Sequence, residues 1–80
     1  MKVQVRAFGA MGDFIGKSTN VDISEGASIA DLTRLLVSQF PAAAGLMPSC
    51  VFAISNTFAN IETKLISGQE VSILPPASGG

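Results

Sequence analysis

Only one stretch of the chain carries a sustained helical period, and it limits what the rest can be. Ser28 is followed by Asp31 three residues on, a capping-box pattern with Asp in the acidic position. Ile29, Leu32, Leu36 and Phe40 then recur at the spacing of one helix face, with Leu35 beside them. Pro41 ends the run, because proline has no N–H for the helical ladder and its ring clashes with the preceding turn. A lone helix with one apolar stripe has no second helix to pack on, so the remaining sequence must supply a sheet. Asp31 suits the positive end of the helix dipole and can form a weak surface pair with Arg34, so neither requires a catalytic role.

The flanking segments have the period of strands. Residues 2 to 8 alternate, with Val3, Val5 and Ala7 on one side and Lys2, Gln4, Arg6 and Phe8 on the other. Gly9, Gly12 and Gly16 then mark a loop in which Met11, Phe14 and Ile15 tuck under the connection. Residues 18 to 23 alternate again, with Thr19, Val21 and Ile23 inward, which gives a hairpin with a long loop. Glu25 and Gly26 make the turn into the helix, and residues 42 to 49, with Gly45 and Pro48, make the connection out of it. Residues 50 to 54 are an apolar run suited to a third strand; a turn at Asn56 leads to a short fourth at 57 to 59. A helical turn is expected at 62 to 65, a tight turn at Ser67 and Gly68, and a final strand at 71 to 74. The fold class is α+β: a mixed sheet with one main helix across one face, and the first and last strands paired in parallel at its centre. A helix-containing crossover separates those two strands, as a parallel pair requires. This is the β-grasp, or ubiquitin-like, arrangement, with residues 1–74 as the domain and 75–80 as a flexible tail.

Composition narrows the function. With one cysteine and no histidine in 80 residues, an internal disulfide is impossible and a zinc site of the usual Cys/His kind has no ligands. Core packing must therefore hold the fold. Cys50 has no histidine to activate it and reads as a small buried hydrophobe. Five basic residues scattered singly and a net charge of −1 give no electrostatic footprint for nucleic acid. No apolar run approaches the roughly 20 residues of a spanning helix, and the start reads as strand and not as a signal peptide, so a cytoplasmic protein without membrane contact is expected. Gly12 to Ser18 ends like a phosphate-binding loop. It has three residues between the glycines where that motif has four, and strand follows where the motif needs a helix, so Lys17 is a solvated loop lysine.

Apolar residues make up 48% of the chain and charged ones 14%, more apolar surface than so small a domain can hide. Some of it should face a partner. If Val3, Val5, Val21, Ile23, Val71 and Ile73 face the helix, alternation puts Leu74 on the open face, with Phe8 and Phe58 near it. Directly after Leu74 the chain runs Pro75, Pro76, Ala77, Ser78, Gly79, Gly80. The prolines fix φ and favour a stiff, extended exit. Gly79 and Gly80 carry no β-carbon, so such an end can thread a narrow channel and present the Gly80 carboxylate to another protein's active site. A carboxylate is inert until it gains a leaving group, and attack on ATP to give an acyl-adenylate is the usual route.

The opening Met1 to Phe8, the Glu25-Gly26-Ala27-Ser28-Ile29 entry to a helix containing Leu32, the Asn56 turn, and Gly68-Gln69-Glu70-Val71 leading to Leu74-Pro75-Pro76-Ala77-Ser78-Gly79-Gly80 closely resemble the small subunit of molybdopterin synthase. The resemblance spans the whole chain, and the ending Pro-Pro-x-Ser-Gly-Gly is its specific part. The chain departs from that pattern at Met11 to Asp13, where a more charged segment is usual, at Gln69, where aspartate is common, and in its sparse surface charge. The resemblance implies a non-catalytic sulfur carrier in molybdenum cofactor biosynthesis that binds no cofactor itself. A partner adenylating enzyme of the ubiquitin-activating type would use ATP and Mg²⁺ to adenylate Gly80, and persulfide sulfur would replace AMP. The resulting thiocarboxylate would enter the large synthase subunit and donate sulfur to the cyclic pyranopterin precursor, in a complex that the family suggests is a dimer of heterodimers. Gly80 is then the reacting residue, Gly79 gives channel access, and Phe8, Phe58, Leu74, Pro75, Pro76 and Ser78 meet the partners. A thiamine-pathway sulfur carrier and a ubiquitin-like protein modifier are the alternatives.

Overall fold

A computed structural model of the chain describes residues 1–76. The expectations for Ser78, Gly79 and Gly80 lie outside the described residues. Its strands are β1 (Lys2–Ala7), β2 (Ser18–Asp22), β3 (Val51–Ile54), β4 (Thr57–Ala59) and β5 (Glu70–Leu74); its helices are α1 (Ala10–Ile15) and α2 (Ile29–Gln39). The strands form one sheet in the order β2-β1-β5-β3-β4. β1 and β5 pair in parallel at the centre, Val5 beside Val71 and Ala7 beside Ile73, and every other pairing is antiparallel. The β-grasp arrangement expected from the element order is the one observed.

Alternation along the strands decides which side is core. Val3, Val5, Ala7, Val21, Phe52, Val71 and Ile73 are buried on the helix side, against Ile29, Leu32 and Leu36 of α2. Full burial of an aliphatic side chain of this size stabilises by about 1.5–3 kcal/mol, so this layer holds the fold without a staple. The capping box forms: Asp31 N–H donates to Ser28 Oγ at 3.3 Å, and Ser28 N–H donates to Asp31 Oδ2 at 2.9 Å. After Pro41 the connection is two short 3₁₀ turns, Pro41–Ala43 and Met47–Ser49, which bury Ala43 and Met47. The β3–β4 hairpin turns through Ser55 and Asn56 with φ of 52° and 64°, the double left-handed geometry that suits the right-handed twist of a two-residue hairpin.

Two segments differ from expectation. The loop after β1 contains α1, because Met11 and Ile15, four apart, are buried together and that burial outweighs the helix-weakening Gly12. Phe14 on the outer side of α1 is 39% exposed and does not tuck under. Residues 62 to 65 are not a helical turn: Ile29 N–H donates to Thr63 O, Leu65 N–H donates to Ala27 O, and Lys64 bridges Ser28, so the segment runs antiparallel to the entry of α2. The buried Leu65 is the reason, since a helical turn would not leave those carbonyls and amides facing the helix entry. No helix among the described residues is long and apolar enough to cross a membrane.

Candidate functional site: the tail exit and the open face of the sheet

β5 is the strand that delivers the chain to its C-terminal segment, and it leaves from the middle of the sheet. The last rung to β1 is Phe8 N–H donating to Ile73 O at 3.1 Å. Beyond it the ladder must stop, since Pro75 has no N–H to give and Gly9 turns away with φ 56° and ψ −139°. The ring of Pro75 lies over Gly9: a β-carbon on Gly9 would stand 2.9 Å from Pro75 Cγ. Pro75 is half-buried there and Pro76 is exposed.

On the side of the sheet away from α2, strand register brings the expected apolar residues together. Phe8, one residue past the Ala7–Ile73 pair, is level with Leu74, and Leu74 is directly opposite Val51. Phe58 is opposite Ala53 on the next strand, one diagonal step from Val51 and within side-chain reach, since such neighbours lie about 7–8 Å apart. Exposure is 40% for Phe8, 41% for Val51 and 76% for Phe58, and Leu74 is half-buried. Around this row stand Arg6, whose guanidinium is 5.7 Å from the Phe8 ring centroid and 3.9 Å from the Glu70 carboxylate, and the small residues Ser72 and Ala53. The Arg6–Glu70 pair is half-exposed, so its contribution to stability is small.

Val51 was not among the expected contact residues. Its signal is the alternation hidden inside an all-apolar run: Val51 and Ala53 face out while Phe52 faces the core. In the sequence Gly9 is only loop punctuation; its closeness to Pro75 is a contact between distant parts of the chain that no local pattern announces.

Neither perturbed titratable group lies on this surface. The Ser28 backbone N–H, helped by the Ser28 hydroxyl and Arg34, holds the Asp31 carboxyl below its ordinary value of 3.8, and Arg34 also donates directly to it. Burial pushes the Cys50 thiol up, away from the nucleophilic thiolate, and its Sγ donates weakly to Leu46 O at 3.4 Å. Cys50 opens on an apolar groove between α2 and β3 shared with Val37 and Met47; Val51 also lines it, whereas Phe8, Phe58, Leu74 and Pro75 take no part in it. Among the described residues no three His, Cys, Asp or Glu side chains group so as to hold a metal ion. What the arrangement can do is bind: an apolar strip lies at the root of a proline-led exit.

A model of the ThiS family matches residues 5–80. The molybdopterin synthase sulfur carrier subunit of Chlamydomonas reinhardtii is 31% identical over 83 aligned residues, covering the whole of both chains. Among solved structures, the chain is similar to SAMP1 from Haloferax volcanii with a TM-score of 0.86 and 20% identity over the whole of both chains, a likeness of fold. It is also similar to a chain in the protein–protein complex of subunits 1 and 2 of the molybdopterin-converting factor from Helicobacter pylori 26695, with a TM-score of 0.70 and 25% identity over the whole of both.

Proposed function

The chain belongs to the ThiS family, and from that premise we propose that it is the sulfur-carrier subunit of a molybdopterin synthase, carrying sulfur on Gly80. The observation that carries the reading is the full-length match to a relative of that name, which runs to both ends of each chain. The chemistry follows from a bare glycine carboxylate. Its oxygen attacks the α-phosphate of ATP and expels pyrophosphate; a persulfide sulfur then displaces AMP to give an acyl disulfide, and a second thiol cleaves the S–S bond, leaving the thiocarboxylate on Gly80 and itself ending in a disulfide with the donor. ATP, Mg²⁺ and the catalytic groups belong to an adenylating enzyme of the ubiquitin-activating type. This chain contributes a substrate end and a surface that positions it, and is itself non-catalytic.

The second partner is the large synthase subunit, a reading supported by the likeness to a chain of the two-subunit complex from Helicobacter pylori. Phe8, Val51, Phe58 and Leu74 form the docking surface, and Pro75, Pro76, Ser78 and Gly79 pass through the partner's channel. An apolar strip set at the root of the exit suits this, because one docking event then places both the surface and the reacting end. A cytoplasmic location fits the supply of ATP.

Mass spectrometry of the protein from its native host tests the reading. Exchange of one oxygen for sulfur at Gly80 is expected, and deletion of Gly80, or extension past it, should abolish cofactor production while the melting temperature stays unchanged. Branched lysine peptides ending in Gly79-Gly80, with no sulfur-bearing form, would make the chain a protein modifier instead. Sulfur at Gly80 with thiamine synthesis, and not molybdenum cofactor, lost on deletion would move it to the other pathway.

A further inference from the structure

We infer that Gly9 is a positioning residue for the C-terminal segment: it seats the ring of Pro75 and so fixes the direction in which the chain leaves the sheet. The inference rests on the reading of Gly80 as the reacting end. Three observations carry it. The φ of 56° and ψ of −139° at Gly9 lie beside the region that only glycine occupies without strain. A β-carbon there would stand 2.9 Å from Pro75 Cγ, well inside the contact distance of about 3.5–4.0 Å between carbons. The other glycines of positive φ, Gly16, Gly26 and Gly68, have nothing within 4 Å of the corresponding point, so they serve turns alone. At Gly9 the open position is used by a neighbour.

Which partner yields to an added methyl follows from how each is held. Gly9 is pinned on both sides: before it, Phe8 N–H donates to Ile73 O at 3.1 Å, and after it, Gly9 O accepts from Gly12 N–H at 3.0 Å, directly beside the fully buried Met11. Pro75 has no N–H with which to be pinned. The proline therefore moves, and Pro76, its own φ fixed, passes the tilt onward instead of absorbing it. The tilt changes how Pro75 and Pro76 are presented to the partner's channel, where misplacement by 1 Å can lower a rate about a hundredfold.

The test is a double-mutant cycle of Gly9→Ala with Pro75→Gly, read by the kcat/KM with which the adenylating enzyme loads the carrier and by NMR on the isolated chains. Gly9→Ala in the otherwise native chain should lower kcat/KM by about tenfold or more, and in the Pro75→Gly background by about threefold at most, because the ring through which Gly9 acts is gone. Equal losses in both backgrounds would show that Gly9 acts only through its own backbone strain, and no loss would show that it has no positioning role; either overturns the inference. In the native chain, a nuclear Overhauser contact between the Gly9 α-protons and the Pro75 ring is expected, and its absence overturns the inference even if Gly9→Ala does not fold. If the native chain is not adenylated at all, the sulfur-carrier reading falls, and the Gly9–Pro75 contact still decides the seating of the proline.

Discussion

Phe58→Ala separates docking from folding more cleanly than any other change on the open face. The ring is 76% exposed and stands opposite Ala53, so it has lost little water on folding and has a small neighbour across the strand. A phenylalanine offers about 200 Å² for burial; three quarters of that is about 150 Å², which at about 25 cal/mol per Å² sets an upper value near 4 kcal/mol for complete coverage by a partner. Ordering of the side chain and incomplete coverage reduce this, and truncation of a central aromatic anchor costs about 2 kcal/mol, a factor of about thirty in Kd. Isothermal titration against the large synthase subunit should show that factor, while the melting curve of the isolated variant moves by no more than the few degrees that about 0.5 kcal/mol gives. Leu74→Ala differs, because Leu74 is half-buried on the central strand beside Val51 and should lower both affinity and melting temperature. An unchanged Kd for Phe58→Ala would put the docking surface elsewhere. A collapsed melt would mean that the ring belongs to the fold.

Three further outcomes are expected. Gly79→Ala should slow adenylation in a pyrophosphate-exchange assay and Gly79→Val should slow it more, since a β-carbon beside the terminal residue narrows the fit to the partner's channel; equal rates for all three would show the channel to be wide. Met11→Ala should destabilise the chain by about 2–5 kcal/mol in urea unfolding, because Met11 is fully buried at the inner side of α1, and a loss under about 1 kcal/mol would mean that α1 does not contribute to the core. Asp31→Asn should lower the melting temperature most at neutral pH: a carboxyl held below 3.8 in the folded chain stabilises fully above that unfolded value and ceases to as pH falls through its lower folded value. A difference between the two proteins that stays constant into acid would refute the assigned role of the Ser28–Asp31 box.

The parts of this fold legible in the sequence are those whose cause is local. The capping box, the stripe from Ile29 to Leu36, the stop at Pro41 and the alternation of β1 and β5 each follow from neighbours within one or two turns, and each is present as expected. The parts that differ are settled by contacts between segments far apart in the chain. Three glycines argue locally for a loop at 9 to 16, and burial of Met11 and Ile15 overrides them; Glu62 to Leu65 has no strong period of its own and takes its shape from the backbone of Ala27 to Ile29. The candidate site divides along the same line. The end proposed to carry sulfur rests on the sequence alone, a Gly-Gly led by paired prolines. Its setting is not legible there, since Val51 joins the open face only once β3 is known to lie beside β5, and Gly9 matters only once Pro75 is known to lie over it. A positioning residue of this kind is glycine for two reasons at once, backbone shape and a neighbour's room, and only the first leaves a trace in the local sequence.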